Sequence, residues 1–159
     1  MGLIYKVNFD VAVFVDLDAS GVGVVVRNDK GEVMASLAAR GPPVRDSVEA
    51  EVLACQRAFE FAMKVGFLEL ILEGDNLTVM KSLISLKPNR SCLGHIYEEI
   101  QCISAGLRSF AVSFVKRSAN TVAHAFAKHA RQVDDELVWL EDCPQPSLEP
   151  LYLDSLGLS

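Results

Sequence analysis

The sequence predicts an α/β fold: a mixed five-stranded sheet with helices on both faces, in the order β-β-β-α-β-α-α-β-α. Three observations carry this. The first forty residues hold three β-rich runs separated by turn formers. Beyond them, short apolar strands alternate with helix-period segments long enough to act as crossovers between parallel strands. Capping and termination signals bracket those segments. With 159 residues, half of them hydrophobic, one domain can bury a continuous core.

The first strand, Tyr5-Lys6-Val7-Asn8-Phe9-Asp10, alternates apolar and polar positions and runs into a carboxylate. Val11 to Ser20, which holds Asp16 and Asp18, reads as a loop. Gly21 to Arg27 is a β-branched run suited to burial on both faces. Asn28-Asp29-Lys30-Gly31 is a turn, and Glu32 to Ala39 is extended again. Gly41-Pro42-Pro43 ends this antiparallel half. Asp46 followed by Glu49 forms a capping box for a helix reaching about Val65 and closed by Gly66, with Ala50, Ala54, Ala58, Phe61 and Val65 as its apolar stripe.

Leu68 to Glu73, flanked by glycines, has the length and composition of a buried parallel strand. A helix from Asn76 to Leu86 turns Leu77, Met80, Leu83 and Ile84 inward, and Lys87-Pro88-Asn89-Arg90 ends it. A third helix presents Ile96, Ile100, Ile103 and Leu107. Phe110, Val112 and Phe114 alternate as the fifth strand, and Asn120 caps a last helix running to about Arg131. Right-handed crossovers place the first strand in the middle of the sheet. The expected organisation is therefore a body over residues 1–132 and, over 133–159, an acidic, proline-containing flexible tail with Trp139 tacked onto the body.

Net charge is −6, but it is unevenly placed. Residues 81–132 hold eight basic against two acidic side chains, and residues 133–159 hold seven acids and no base. A basic second half is compatible with nucleic acid, which responds to local cationic surface and not to the whole-chain sum. Cys55, Cys92, Cys102 and Cys143 show no metal-finger or C-x-x-C spacing, so reduced thiols in a nuclear or cytoplasmic protein are expected. No stretch approaches the roughly 18 apolar residues of a membrane span, so no membrane partner is expected.

Three acids fall at element edges: Asp10 after the first strand, Glu51 in the first turn of the first helix, and Asp75 just past the fourth strand. Taken singly, each has a plain structural use as a strand end, a helix-dipole partner or a cap. Together they lie at the carboxyl ends of neighbouring strands, the edge where open α/β sheets bind ligands. Three close carboxylates repel one another unless a cation joins them. Mg²⁺ suits such hard oxygen ligands, and a pair of ions can clamp a phosphoryl displacement.

At this point the residues carry a family resemblance. Lys6-Val7-Asn8-Phe9-Asp10, Gly21 to Asn28 with Gly31, Ala50-Glu51 with Ala54, Leu72-Glu73-Gly74-Asp75-Asn76, and Arg117-Ser118-Ala119-Asn120 with Ala123-His124 occur in order. The body from Tyr5 to about Arg131 thus resembles a ribonuclease H domain of the reverse-transcriptase-like subfamily abundant in plants. The resemblance implies a ribonuclease H-like fold. It also implies metal-dependent endonucleolytic cleavage of RNA in RNA–DNA hybrids, with Asp10, Glu51 and Asp75 as metal ligands. The family's fourth acid falls at His124, a pairing the subfamily often shows; His124 is counted with the catalytic and metal residues, and imidazole is better matched to Mn²⁺ or Zn²⁺ than to Mg²⁺. Val11 stands where the family has Gly, and the loop Lys116-Arg117-Ser118-Ala119 lacks the family's mobile histidine.

A hybrid is held through phosphates and 2′-hydroxyls, for which Lys81, Lys87, Arg90, Lys116 and Arg117 are the candidates. His95 and His129 read as surface or cap residues. A second reading stays open: a catalytically weak or inactive domain that acts as a nucleic-acid or protein interaction module. A third, a 3′–5′ exonuclease, fits the opening three-strand pattern less well.

Overall fold

The computed structural model describes residues 4–85, 100, 105–107 and 109–140. The strands are β1 (Tyr5–Phe14), β2 (Ala19–Arg27), β3 (Val33–Gly41), β4 (Glu69–Gly74), β5 (Ser109–Phe114) and β6 (Glu136–Leu140). The helices are α1 (Ser47–Lys64), α2 (Leu77–Ser85) and α3 (Thr121–His129), with short 3₁₀ turns at Val15–Leu17, Arg117–Asn120 and Ala130–Gln132. Strand order in the single sheet is β5-β4-β1-β2-β3-β6, which puts β1 in the interior as expected. β1 runs parallel to β4 and antiparallel to β2; β4 and β5 are parallel, and the remaining pairs are antiparallel.

β1 does not stop at Asp10. Its ladder with β2 continues through Ala12↔Gly21 to Phe14↔Ala19, because Val11-Ala12-Val13-Phe14 is itself a strand-forming run. The expected loop shrinks to the 3₁₀ turn and Asp18, whose φ of 48° is left-handed, a conformation Asp tolerates better than most residues. On the other side, the parallel ladder with β4 ends at Asn8↔Glu73. Asp10 is thus mid-strand towards β2 but past the end of β4, next to where Asp75 begins.

α1 starts where the sequence places it. The Asp46 side chain accepts from the Glu49 N–H at 2.8 Å, while the Glu49 carboxylate reaches back to the Arg45 N–H at 3.1 Å, one residue before the usual box partner. Gly66, at φ +92°, closes the helix. The α1 face of the sheet carries the main core, including Val7, Phe9, Val24, Leu37, Ala58, Phe59, Leu72 and Met80, joined by Ile100 and Leu107. Ile96 and Ile103, also expected inward, lie outside the described residues, as do the side chains of Leu83 and Ile84. Leu77, expected inward, is 48% exposed, and Val79 is buried instead. The Asn76 side chain accepts from the Val79 N–H at 3.1 Å, so Leu77 occupies the outward first position of α2.

On the opposite face α3 lies directly on β2. A Cβ added at Gly23 would come within 2.0 Å of the Ala123 carbonyl oxygen, and one at Gly21 within 2.3 Å of the Ala127 oxygen. Side chains at these two positions would push the helix away, so the glycines set how close α3, and His124 on it, comes to β1.

The sheet has six strands where five are expected. Residues 136–140, placed by sequence in a flexible tail, form β6 against β3. Trp139 is 8% exposed and tilts against Phe126 of α3 with ring centroids 5.1 Å apart, and Glu136 pairs with Arg57 of α1. The acidic run Asp134-Asp135 is only the exposed approach to this strand. Residues 141–159 lie outside the described residues. No helix among the described residues is long and apolar enough to cross a membrane.

Candidate active site

β1, the first turn of α1 and the residue after β4 bring Asp10, Glu51 and Asp75 together as expected: one carboxylate oxygen from each lies within 4.8 Å of the other two. Asp10 is 4% and Glu51 6% exposed. Asp10 Oδ1 accepts from the Val11 N–H at 2.9 Å, and its Oδ2 sits 2.7 Å from His124 Nδ1. Glu51 Oε2 and Asp75 Oδ2, by contrast, are buried with no hydrogen-bond partner among the described residues. Buried carboxylate oxygens without partners are costly, and these two belong to residues whose carboxylates converge.

The electrostatics follow from this geometry. Burial, then the Asp10 charge, a hydrogen bond to Asp10 and the Asp75 charge push the Glu51 carboxyl up to about 9, against a small opposing pull from Arg117. Burial and then the Asp10 charge also raise Asp75; an Asn120 side-chain hydrogen bond, Arg117 and His124 work in the other direction. At neutral pH the cation-free cluster therefore keeps a proton on Glu51. A divalent ion would replace that proton and supply the partners the two orphaned oxygens lack, so the donor set fits a hard cation. One helical turn beyond Glu51, the buried Cys55 thiol is raised by burial first and by the Glu51 charge second.

His124 sits where the fourth ligand is expected, but through Nδ1 it bonds Asp10 and is not one of the three converging groups. Its side chain is 45% exposed. Val11 joins the core on the α1 face, and its contribution to the site is the backbone N–H to Asp10.

Among the described cationic candidates, Arg117 pairs with the cluster: its Nε is 4.0 Å from Asp75 Oδ2 while its side chain is 88% exposed. Lys116 beside it is exposed, as is Lys81 on α2. Lys87, Arg90 and His95 lie outside the described residues. His129 lies against Trp139, its ring centroid 6.4 Å away.

Sequence reasoning missed a buried amide pair beside the cluster. Asn120, expected to cap α3, makes no cap bond. Its Nδ2 donates to the Phe9 carbonyl at 2.9 Å and its Oδ1 accepts from Asn8 Nδ2 at 3.2 Å. Asn8 also donates to Glu73 and accepts from Arg27, each at 3.2 Å. Strand parity held the signal: Asn8 shares a sheet face with Asp10, while Val7 and Phe9 face the core.

The family model described as reverse transcriptase-like matches residues 8–130. The chain belongs to the reverse transcriptase-like family. Its fold is that of ribonuclease H. RNase H1 from the halophilic archaeon Halobacterium salinarum NRC-1 superposes with a TM-score of 0.73 at 23% identity, covering 81% of this chain and 98% of that one. The N-terminal RNase H domain of a Mycobacterium tuberculosis protein superposes at 0.71 with 19% identity, covering 82% and 95%. LC11-RNase H1, solved in complex with an RNA/DNA hybrid, superposes at 0.62 with 16% identity, covering 81% and 96%. No curated protein sequence matches the chain.

Proposed function

We propose that this domain binds nucleic acid and hydrolyses the RNA strand of RNA–DNA hybrids as a divalent-metal-dependent endonuclease. The observation that carries the reading is the buried convergence of Asp10, Glu51 and Asp75 with two carboxylate oxygens left unpartnered. Membership of the reverse transcriptase-like family and the likeness to a hybrid-bound ribonuclease H support it. Asp10, Glu51 and Asp75 would hold Mg²⁺ or Mn²⁺, which when bound stabilises charge on a reacting phosphate and activates water. Val11 N–H and His124 hold Asp10 in place; Glu51 gives up its proton on loading. Arg117, with Lys116 and Lys81, supplies cationic contacts for phosphates of the hybrid backbone, joined in this proposal by Lys87 and Arg90.

The test is cleavage of an end-labelled hybrid duplex with Mg²⁺ or Mn²⁺, with Asp10→Asn as the control. Internal RNA fragments from the parent, reduced at least about 100-fold in Asp10→Asn, are expected. Equal cleavage by the two proteins would remove the enzyme reading. His124 in the fourth ligand position, bonded to Asp10 and adding no negative charge, favours the second reading, a nucleic-acid or protein interaction module without catalysis. That reading predicts hybrid binding without fragments.

A further inference from the structure

The buried amide pair beside the carboxylates has a direction. Arg27 can only donate, so its bond to Asn8 Oδ1 fixes which end of the Asn8 amide is oxygen. Asn8 Nδ2 must then face Glu73 Oε1 and Asn120 Oδ1, both acceptors. That in turn leaves Asn120 Nδ2 to donate to the Phe9 carbonyl, one residue before Asp10. Asn8 is 3% and Asn120 1% exposed, so water offers neither amide an alternative partner. Asn120 also stands one helical turn before His124, on the same side of α3.

We propose that Asn120 is a positioning residue for the metal cluster, and that Arg27 and Asn8 act through it by locking its amide in the orientation that points its NH₂ group at β1, one residue before Asp10. Asn120 thereby ties the start of α3 to β1 next to Asp10 and carries His124 into reach of Asp10. Asn8 and Arg27 hydrogen-bond none of the three cluster carboxylates; they decide only which end of the Asn120 amide faces β1. The inference rests on the metal-binding reading above.

The experiment is calorimetric titration of the full chain with Mn²⁺ alone, comparing the parent with Asn120→Ala, Arg27→Met and, as a stability control in the core of β3, Leu37→Val. Outer-shell partners of metal ligands typically carry 10–100-fold in affinity. Asn120→Ala should therefore weaken Mn²⁺ binding at least about tenfold, Arg27→Met, one link further out, on the order of threefold, and Leu37→Val not at all despite its lower melting temperature. Should Asn120→Ala fail to fold, Arg27→Met, at the half-buried rim of the network, decides alone. Parent affinity in both network variants, or an equal loss in Leu37→Val, overturns the positioning role while leaving the metal site standing. A parent that binds no Mn²⁺ overturns the metal reading itself and this inference with it.

Discussion

Replacing Glu51 by Gln keeps the shape of the side chain and removes its charge, so it isolates the electrostatic strain in the cluster. The Glu51 carboxyl is raised from an ordinary 4.5 to about 9. A carboxyl raised in the folded state contributes stability that is fully present below its unfolded value and is lost as pH climbs towards the folded one. At pH 7.5 the parent has climbed about three of those units, each worth about 1.36 kcal/mol, so relief of up to roughly 4 kcal/mol is available and about half of that is a realistic recovery. For a domain of this size about 1 kcal/mol moves the midpoint by roughly 2–4 °C. In EDTA, Glu51→Gln should thus melt roughly 4–8 °C above the parent at pH 7.5 and within a degree or two of it at pH 4.5. Adding Mg²⁺ should reverse the order, because the parent gains a ligand and the variant has lost one. Differential scanning fluorimetry at the two pH values reads all of this. A variant no more stable than the parent in EDTA at pH 7.5, or a gap of the same size at both pH values, would refute the view that Glu51 is held in the fold at the expense of stability.

Because Glu51 must lose its proton to bind a cation, apparent Mg²⁺ affinity should rise with pH across the window from about 5 to 9, approaching tenfold per unit; calorimetry in buffers of different ionisation enthalpy should show close to one proton released per loaded protein near pH 7.5. Gly23→Ala drives a methyl group against the Ala123 carbonyl, so α3 must shift. A loss of about 3 kcal/mol or more in urea unfolding is expected, and a loss below about 1 kcal/mol would show that α3 does not sit this close. Arg117→Ala should weaken hybrid binding at low salt and lower the steepness of its salt dependence by about one phosphate contact; an unchanged slope would place Arg117 off the nucleic-acid path.

The carboxylate site was legible because it follows from local signals. The Asp46 cap fixes the phase of α1 and with it Glu51, and the glycine after β4 marks the strand end from which Asp75 emerges. Asn120 was misread for the opposite reason. An Asn before a helix is a good cap by every local rule, and its actual partners, Phe9 and Asn8, are more than a hundred residues away in sequence. β6 was hidden by its flank: Asp134 and Asp135 look like a solvated run, but Glu136 has Arg57 waiting on α1 and Trp139 has Phe126 on α3. The extension of β1 past Asp10 was obscured by Asp16 and Asp18, which belong to the hairpin tip, where Asp16 pairs with Arg131.

His124 bears on what separates a catalyst from an interaction module here. It holds Asp10 by a hydrogen bond without adding a negative charge, so the cluster carries at most three carboxylate charges, one of them neutralised by the proton on Glu51 when no cation is bound. A polyanionic hybrid approaching Arg117 meets Asp75 about 4.0 Å from that guanidinium and Asp10 behind it. Without a cation these acids oppose the phosphates with two negative charges; one divalent ion, which also displaces the Glu51 proton, lowers this to one, and a second ion makes the cluster net positive. Divalent ion and hybrid should therefore bind with positive coupling, each tightening the other by the same factor. Fluorescence anisotropy of a labelled hybrid at 4 °C and matched ionic strength should show binding tightened about fivefold or more by Mg²⁺ over EDTA, the lower end of ordinary coupling energies. An interaction module that reads the hybrid away from the acids would bind equally in both, and that result would separate the cluster from nucleic-acid recognition altogether.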